Sequence, residues 1–425
     1  MRDVFTRIAF RIMPFLILLY VVAFLDRVNV GFAALTMNRD LHLADSAFGL
    51  GAGIFFIGYF LCEVPSNLML KRFGARVWIA RIMITWGALS IAMAFARGPL
   101  SYITLRALLG AAEAGFFPGI ILYLSVWLPP SRRAGLISLF IVGIPLANVI
   151  GAPLSTTLLQ HQWGTSLHSW QWLFILEGIP AILLGGLTLI VLTESPDDAE
   201  WLSREEKRII LRAQLAEAPV ESTQPLSWRS LVSKRFLALT AIYFFLMMGL
   251  YGLGFWLPKL AQSQGMGLAS IGWLSAASYG VGGAAAVGWS FHSDATAERK
   301  WHLLISFLAA ALGQFGASYS HSKPLLIGAF AISAFGIFSA MPMFWAVVTK
   351  DFGGQLAAVA IALINSLGNL GGFAGPSLIG WLTERTGGFT APLCSIGILL
   401  LAAGGIAMFF VGKVRPVVQE RVMEC

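Results

Sequence analysis

The sequence predicts an all-α polytopic membrane protein, with twelve transmembrane helices in two pseudo-symmetric six-helix halves. Three observations carry this. Of 425 residues, 57% are hydrophobic and 12% charged, whereas a soluble protein carries about a quarter charged residues. The apolar residues recur in blocks of roughly twenty, the length that spans ~30 Å of hydrocarbon. The basic residues behind the formal net charge of +8 sit in short loops between those blocks, so the charge does not point to nucleic acid.

The elements follow in order. The first span is expected over 12–35. It lacks a small-residue cleavage site and holds Asp26 and Arg27 in its middle, so it reads as a retained helix and not a cleaved signal peptide. Charged or Gly/Pro breaks then delimit spans at 47–70, 77–96, 100–128, 134–160 and 172–193. One long polar stretch follows, TESPDDAEWLSREEKRIILRAQL at its start. Trp201, Leu202, Ile209, Ile210 and Leu211 are apolar among its charges. That pattern predicts a short amphipathic helix, either lying on the membrane surface or serving as a solvated linker. The remaining spans fall at 236–262, 268–291, 301–320, 324–349, 355–383 and 390–412. The chain thus divides into 1–193, a linker at 194–235, and 236–425.

Lys and Arg accumulate in cytoplasmic loops. With the N-terminus in the cytoplasm, 22 of the 29 basic residues fall on that side and five on the other. Both termini and the linker are therefore expected to be cytoplasmic. Two arginines, Arg27 and Arg106, remain within the membrane. An ionisable side chain there is costly and marks function by default. Asp26 and Arg27 lie in the first span, and Arg106 and Glu113 in the fourth, in RALLGAAEAGFFPG. Seven residues separate Arg106 from Glu113, about 10 Å along one helical face. Each therefore needs a partner from elsewhere, which the first span can supply. Arg27 offers a planar, permanently charged fork to a carboxylate. Asp26 and Glu113 are acids in a poorly hydrated setting, candidates to carry a proton that enters with a substrate. The alternative is a static ion-pair network fixing span one to span four. Glu177, near the outer end of the sixth span, reads as structural or gating. The aromatics Tyr243, Tyr251, Trp256, Phe344 and Trp345 read first as packing or interface anchors, and Gln314 as a helix–helix hydrogen bond.

Two corresponding loops are basic turns, NLMLKRFGARVW after the second span and GWSFHSDATAERKWH after the eighth. Similar halves mark a transporter with its site between them, near the midplane. These features resemble the major facilitator superfamily, whose loop signature is Gly-x-x-x-Asp-Arg-x-Gly-Arg-Arg. Lys71, Arg72, Gly74, Ala75 and Arg76 fill its last positions, with lysine where the family has aspartate. Asp294, Arg299 and Lys300 form the weaker second copy. By this resemblance Arg72, Arg76, Asp294 and Arg299 are gating or structural residues. Glu63 is a candidate acid partner for the first turn. GIPLANVIGAP, Gly143 to Pro153, is similar to the superfamily's fifth-span motif.

Asp-Arg with Asn two residues on, and Arg-x6-Glu-Ala, look like the anion:cation symporter family. The runs AFGLGAGIFFIGYFLCEVPSN, RALLGAAEAGFFPG and WQWLFILEGIPA look especially like its bacterial tartrate and sugar-acid branch. The resemblance implies proton-coupled uptake of a small organic carboxylate across a bacterial inner membrane, with H+, the anion and lipid as partners and a monomeric chain. It matches Asp26 and Glu113 to the proton-coupling acids and Arg27 and Arg106 to the motif arginines, both expected among the substrate-binding residues. Tyr59 matches a tyrosine lining the substrate cavity. NSLGNLGGFAGP resembles the span-eleven motif, where Asn365 or Asn369 could bond a substrate hydroxyl. The rivals are an exchanger or exporter of another solute, and a membrane-embedded enzyme or sensor. No clustered metal ligands, cofactor motif or phosphate-binding loop supports the enzyme, and Cys62, Cys394 and Cys425 form no disulfide framework or metal spacing. No cofactor and no metal are expected.

Overall fold

The structure, a computed structural model, describes residues 2–129, 131–132, 136, 143–161, 163–164, 166–217, 233–296, 298–320, 322–352 and 354–411. Most of the first part of the expected fifth span, the later linker and Cys425 lie outside the described residues. The first half comprises α1 (Arg2–Asp40), α2 (Asp45–Phe73), α3 (Ala75–Met93), α4 (Pro99–Glu113), α5 (Phe116–Trp127), α6 (Gly143–Gln160) and α7 (Ser169–Val191). After α8 (Arg204–Ala216) come α9 (Lys234–Ser263), α10 (Leu268–Thr296), α11 (Lys300–Ser318), α12 (Lys323–Asp351), α13 (Gly354–Asn369), α14 (Gly371–Thr386) and α15 (Thr390–Phe410).

Among the described residues, ten segments are long and apolar enough to cross a membrane. The other two at expected spans, α6 and α10, are diluted by glycine, serine and proline. They pack against each other, one from each half: a Cβ on Gly272 would lie 3.1 Å from the Ala152 carbonyl oxygen. Low hydropathy and close approach have one cause here, because small residues let backbones meet where lipid gives no hydrophobic drive between helices. The related seam is α2 on α14, where a Cβ on Gly49 would sit 2.4 Å from the Pro376 carbonyl oxygen.

Two expected helices are interrupted. The fourth span breaks at Ala114–Gly115, where Gly115 has φ 87°, a conformation that glycine adopts without strain. The eleventh breaks between Asn369 and Gly371. The linker helix α8 forms as expected, with Ser203 accepting from Glu206 N–H at 3.2 Å and Glu206 accepting from Ser203 N–H at 2.8 Å, a reciprocal cap. It packs on the first half. Arg7 donates to the Trp201 carbonyl at 2.7 Å, Trp201 stacks on Trp127 at 5.7 Å, and Ile210 is buried.

We call the end of the bundle where α1 begins the base and the opposite end the crown. Contacts between halves concentrate from crown to mid-depth. Lys259 pairs with Asp45, the Ser46 N–H donates to Glu384 at 3.0 Å, and Trp256 meets Phe48 edge-on at 5.2 Å. Toward the base α2 leaves the opposite half, and Leu68 and Phe73 are exposed.

Candidate functional site

Residues 26 and 27 are neighbours, so α1 points them about 100° apart. The two charges therefore enter different environments. Arg27 faces the opposite half. Its Nη2 donates to the Glu113 carboxylate, and its Nη1 reaches the Tyr251 hydroxyl on α9 at 3.4 Å. The guanidinium carbon lies 4.8 Å from the Phe24 ring centroid, 5.3 Å from Phe55 and 5.7 Å from Tyr59, within range of cation–π attraction. Arg27 keeps 13% of its side-chain surface accessible and Glu113 only 2%. Arg27 is thus the reachable member of the pair.

Glu113 is held by the break in the fourth span. It is the last residue of α4, where the helix dipole disfavours an anion, so Arg27 supplies what the helix does not. The break is braced from two sides. The Ser66 hydroxyl donates to the Ala114 carbonyl at 2.6 Å, and the Trp78 indole N–H donates to Ser66 at 2.9 Å. A Cβ on Gly115 would lie 2.3 Å from Ser66 Oγ, so a larger residue cannot keep this corner.

Asp26 turns away, into the seam with α3. It is buried and accepts from Trp86 Nε1, Ser90 Oγ and, at 3.1 Å, Asn29 Nδ2. Arg106 is wholly buried between α4 and α2. Its Nε and Nη2 donate to the Gly51 and Ala52 carbonyls, each at 3.3 Å. Of the four intramembrane charges expected from sequence, the fold therefore joins Arg27 to Glu113 directly. It gives Asp26 neutral donors and gives Arg106 backbone oxygens.

Tyr59 joins the aromatic surround of Arg27. Asn365 accepts from the Tyr243 hydroxyl at 3.4 Å; Asn369 ends α13, half-buried, at the eleventh-span break. Tyr243 stacks on Phe344 at 5.1 Å and meets Trp345 edge-on at 4.9 Å. Gln314 donates to Ser333 across two helices at 2.9 Å.

The basic turns come out differently from expectation. Glu63 does not serve the α2–α3 turn. It lies inside the bundle and accepts from Ser366 of the other half at 2.7 Å. The acid at the turn is Glu194, just beyond α7, which accepts from Ala75 N–H at 2.6 Å and Arg76 N–H at 3.1 Å. Those are unsatisfied donors of the first turn of α3. Arg72 stays exposed, its guanidinium 5.7 Å from the Phe73 ring. In the second copy Asp294 pairs with Arg299. Glu298 caps α11 there, accepting from Trp301 N–H at 2.8 Å and His302 N–H at 3.2 Å. Sequence reasoning missed Glu194, Trp86 and Ser90. The signal for Glu194 was an acid immediately after the sixth span, at the same end of the bundle as the basic turn.

Residues 16–376 match the Major Facilitator Superfamily. The chain is 47% identical over 402 residues, covering 94% of itself and 90% of the relative, to the Agrobacterium vitis protein named "Putative tartrate transporter". It is 41% identical to the quinolone resistance transporter of Acinetobacter baumannii, covering 94% and 93%. Among solved structures it superposes with TM-score 0.78 at 16% identity, covering 94% and 96%, on an inward-facing, occupied bacterial homolog of the human lysosomal transporter Spinster; this likeness concerns fold.

Proposed function

The chain belongs to the major facilitator superfamily, and on that premise we propose that this membrane transporter imports a small organic carboxylate together with H+ by alternating access. The observation that carries the reading is the Arg27–Glu113 pair: one accessible guanidinium, at mid-depth, held by one nearly sealed acid. A substrate carboxylate and Glu113 compete for the same fork. When Glu113 takes up a proton, its attraction for Arg27 falls to that of a neutral hydrogen bond, and the guanidinium is free to grip the anion bidentately. Proton and anion then enter together. Tyr59 and Tyr251 offer hydroxyls beside the fork, and Asn365 and Asn369 supply polar groups from the second half. Arg106 holds α4 against α2, so its contribution is to place Glu113. The relative named for tartrate supports a hydroxylated diacid or sugar acid as cargo.

The excess of Lys and Arg at the base supports a base facing the cytoplasm, in the inner membrane, with both termini on that side. The two six-helix halves, 1–193 and 236–425, are the bodies that rock, and 194–235 tethers them. With the crown closed, the conformation is inward-facing, and the Asp45–Lys259 pair belongs to the outer gate.

The test is uptake of labelled organic acids, tartrate first, into proteoliposomes with an imposed pH gradient. Uptake should rise when the outside is acid and lose that dependence in Glu113→Gln. Uptake indifferent to the gradient in the unmodified protein overturns the reading. The relative named for quinolone resistance supports a second reading, export. Proton-driven extrusion of a quinolone from the same vesicles, without uptake of acids, would select it.

A further inference from the structure

One buried acid has no part in the mechanism above. Glu177, on α7, is eight residues into its helix, about 12 Å below the crown. It is 6% exposed. The Ser155 hydroxyl of α6 donates to its Oε1 at 2.8 Å, while Oε2 is buried without a hydrogen-bond partner. Asn29 of α1 faces Glu177 and Asp26 together. Its Nδ2 donates to Asp26 at 3.1 Å, and its Oδ1 is likewise buried with nothing donating to it. A side-chain interaction links Asn29 to Glu177, and Asp26 is the charged group whose field reaches Glu177. From α3, Gly87 and Ile91 pack on the adjoining Gly178 and bring no charge.

Two orphaned oxygens in one cluster, one on Glu177 and one on the Asn29 that interacts with it, are a statement about protons. A buried acceptor without a donor is destabilising. One hydrogen on Glu177 Oε2 turns that oxygen into a donor for Asn29 Oδ1 and removes both deficits. Charge balance agrees. Arg27 and Arg106 offset Glu113 and Asp26, and the field of Arg106 reaches Asp26. That leaves no cation for an ionised Glu177 in this group.

We propose that Glu177 is the second carboxyl of a one-proton unit with Asp26, coupled through the amide of Asn29. In the present conformation the proton sits on Glu177, and Asp26, with three donors, is the anion. In the other arrangement the O–H bond at Glu177 breaks and one forms at Asp26. The amide of Asn29 turns over, so that its oxygen accepts from Asp26 and its NH2 donates to the Glu177 carboxylate. The pair carries one negative charge throughout. The unit gives the crown side a proton-holding group above Asp26, closer to the outside than Glu113. This rests on the proton-coupled reading.

The experiment compares the unmodified protein with Glu177→Gln and Glu177→Asp in proteoliposomes, using labelled tartrate or the best acid from the uptake panel. Gradient-driven accumulation and substrate exchange without a gradient are both measured. Glutamine mimics the protonated acid and can donate to Asn29. It should give a monodisperse protein that retains exchange within twofold and loses at least tenfold in gradient-driven accumulation. Aspartate should restore most of the gradient response. Three results overturn the proposal: a Glu177→Gln protein that fails to fold, one that loses both activities, or one that matches the unmodified protein. If the unmodified protein ignores the gradient, the proton-coupled reading itself fails first, and the two failures are thereby distinguished.

Discussion

A guanidinium and a carboxylate buried together are costly to desolvate, and removing one partner strands the other. Arg27 and Glu113 illustrate the point, since each lacks a second ionic partner within hydrogen-bond distance among the described residues. The value of the pair lies in geometry more than in stability, because the fork is shared between an internal acid and a cargo. Arg27→Lys keeps the charge but not the bidentate donors. It should leave the fold intact and weaken organic-acid binding at least tenfold, read as a loss of ligand-induced rise in melting temperature. Affinity retained in Arg27→Lys would remove the fork from recognition. The sequence marked these residues through their charge at membrane depth. It could not choose partners, because Asp26 and Arg27 are adjacent and only the rotation of α1 against its neighbours decides which faces α3 and which faces the second half.

At the scale of elements, the twelve spans were legible because hydrocarbon thickness imposes a length on every apolar block. The interruptions were less so. AEAGFFPG signals a break through Gly115 and Pro118, yet its hydropathy is that of a continuous helix. The break is what ends α4 at Glu113. The α2–α3 turn shows a different limit. Its replacement of the family's aspartate by Lys71 suggested an acid from α2, but Glu63 points into the bundle and Glu194 arrives from the far end of α7. The position of Glu194 directly after the sixth span marked the right end of the bundle, but no local pattern pairs such a long-range cap with its helix. Glu194→Ala strips acceptors from the first turn of α3. It should lower stability by about 1 kcal/mol, measured as an earlier thermal unfolding transition in detergent, with substrate affinity unchanged. Unchanged melting would show that the turn does not depend on this cap.

Across the whole molecule, the halves meet through α2 on α14 and α6 on α10, seams built from glycine and other small residues that slide more readily than interlocked large ones. The crown adds the Asp45–Lys259 pair and the Phe48–Trp256 contact. A partly exposed ion pair contributes only ~0–1 kcal/mol, which suits a gate that must open each cycle. Tethering the crown should therefore stop transport outright. In a cysteine-free background, Asp45→Cys with Lys259→Cys bridged by a bifunctional thiol reagent should abolish uptake, and a cleavable reagent should restore it on reduction. Uptake that continues with the bridge in place would mean that the halves do not part there.

Competition between Glu113 and the cargo for Arg27 requires that binding and protonation occur together. The most direct measurement is calorimetric titration of the purified protein with its best organic acid, in buffers of different ionisation enthalpy above neutral pH. Uptake of about one proton per anion bound, absent in Glu113→Gln, is the expected result. Binding that takes up no proton in the unmodified protein would contradict it.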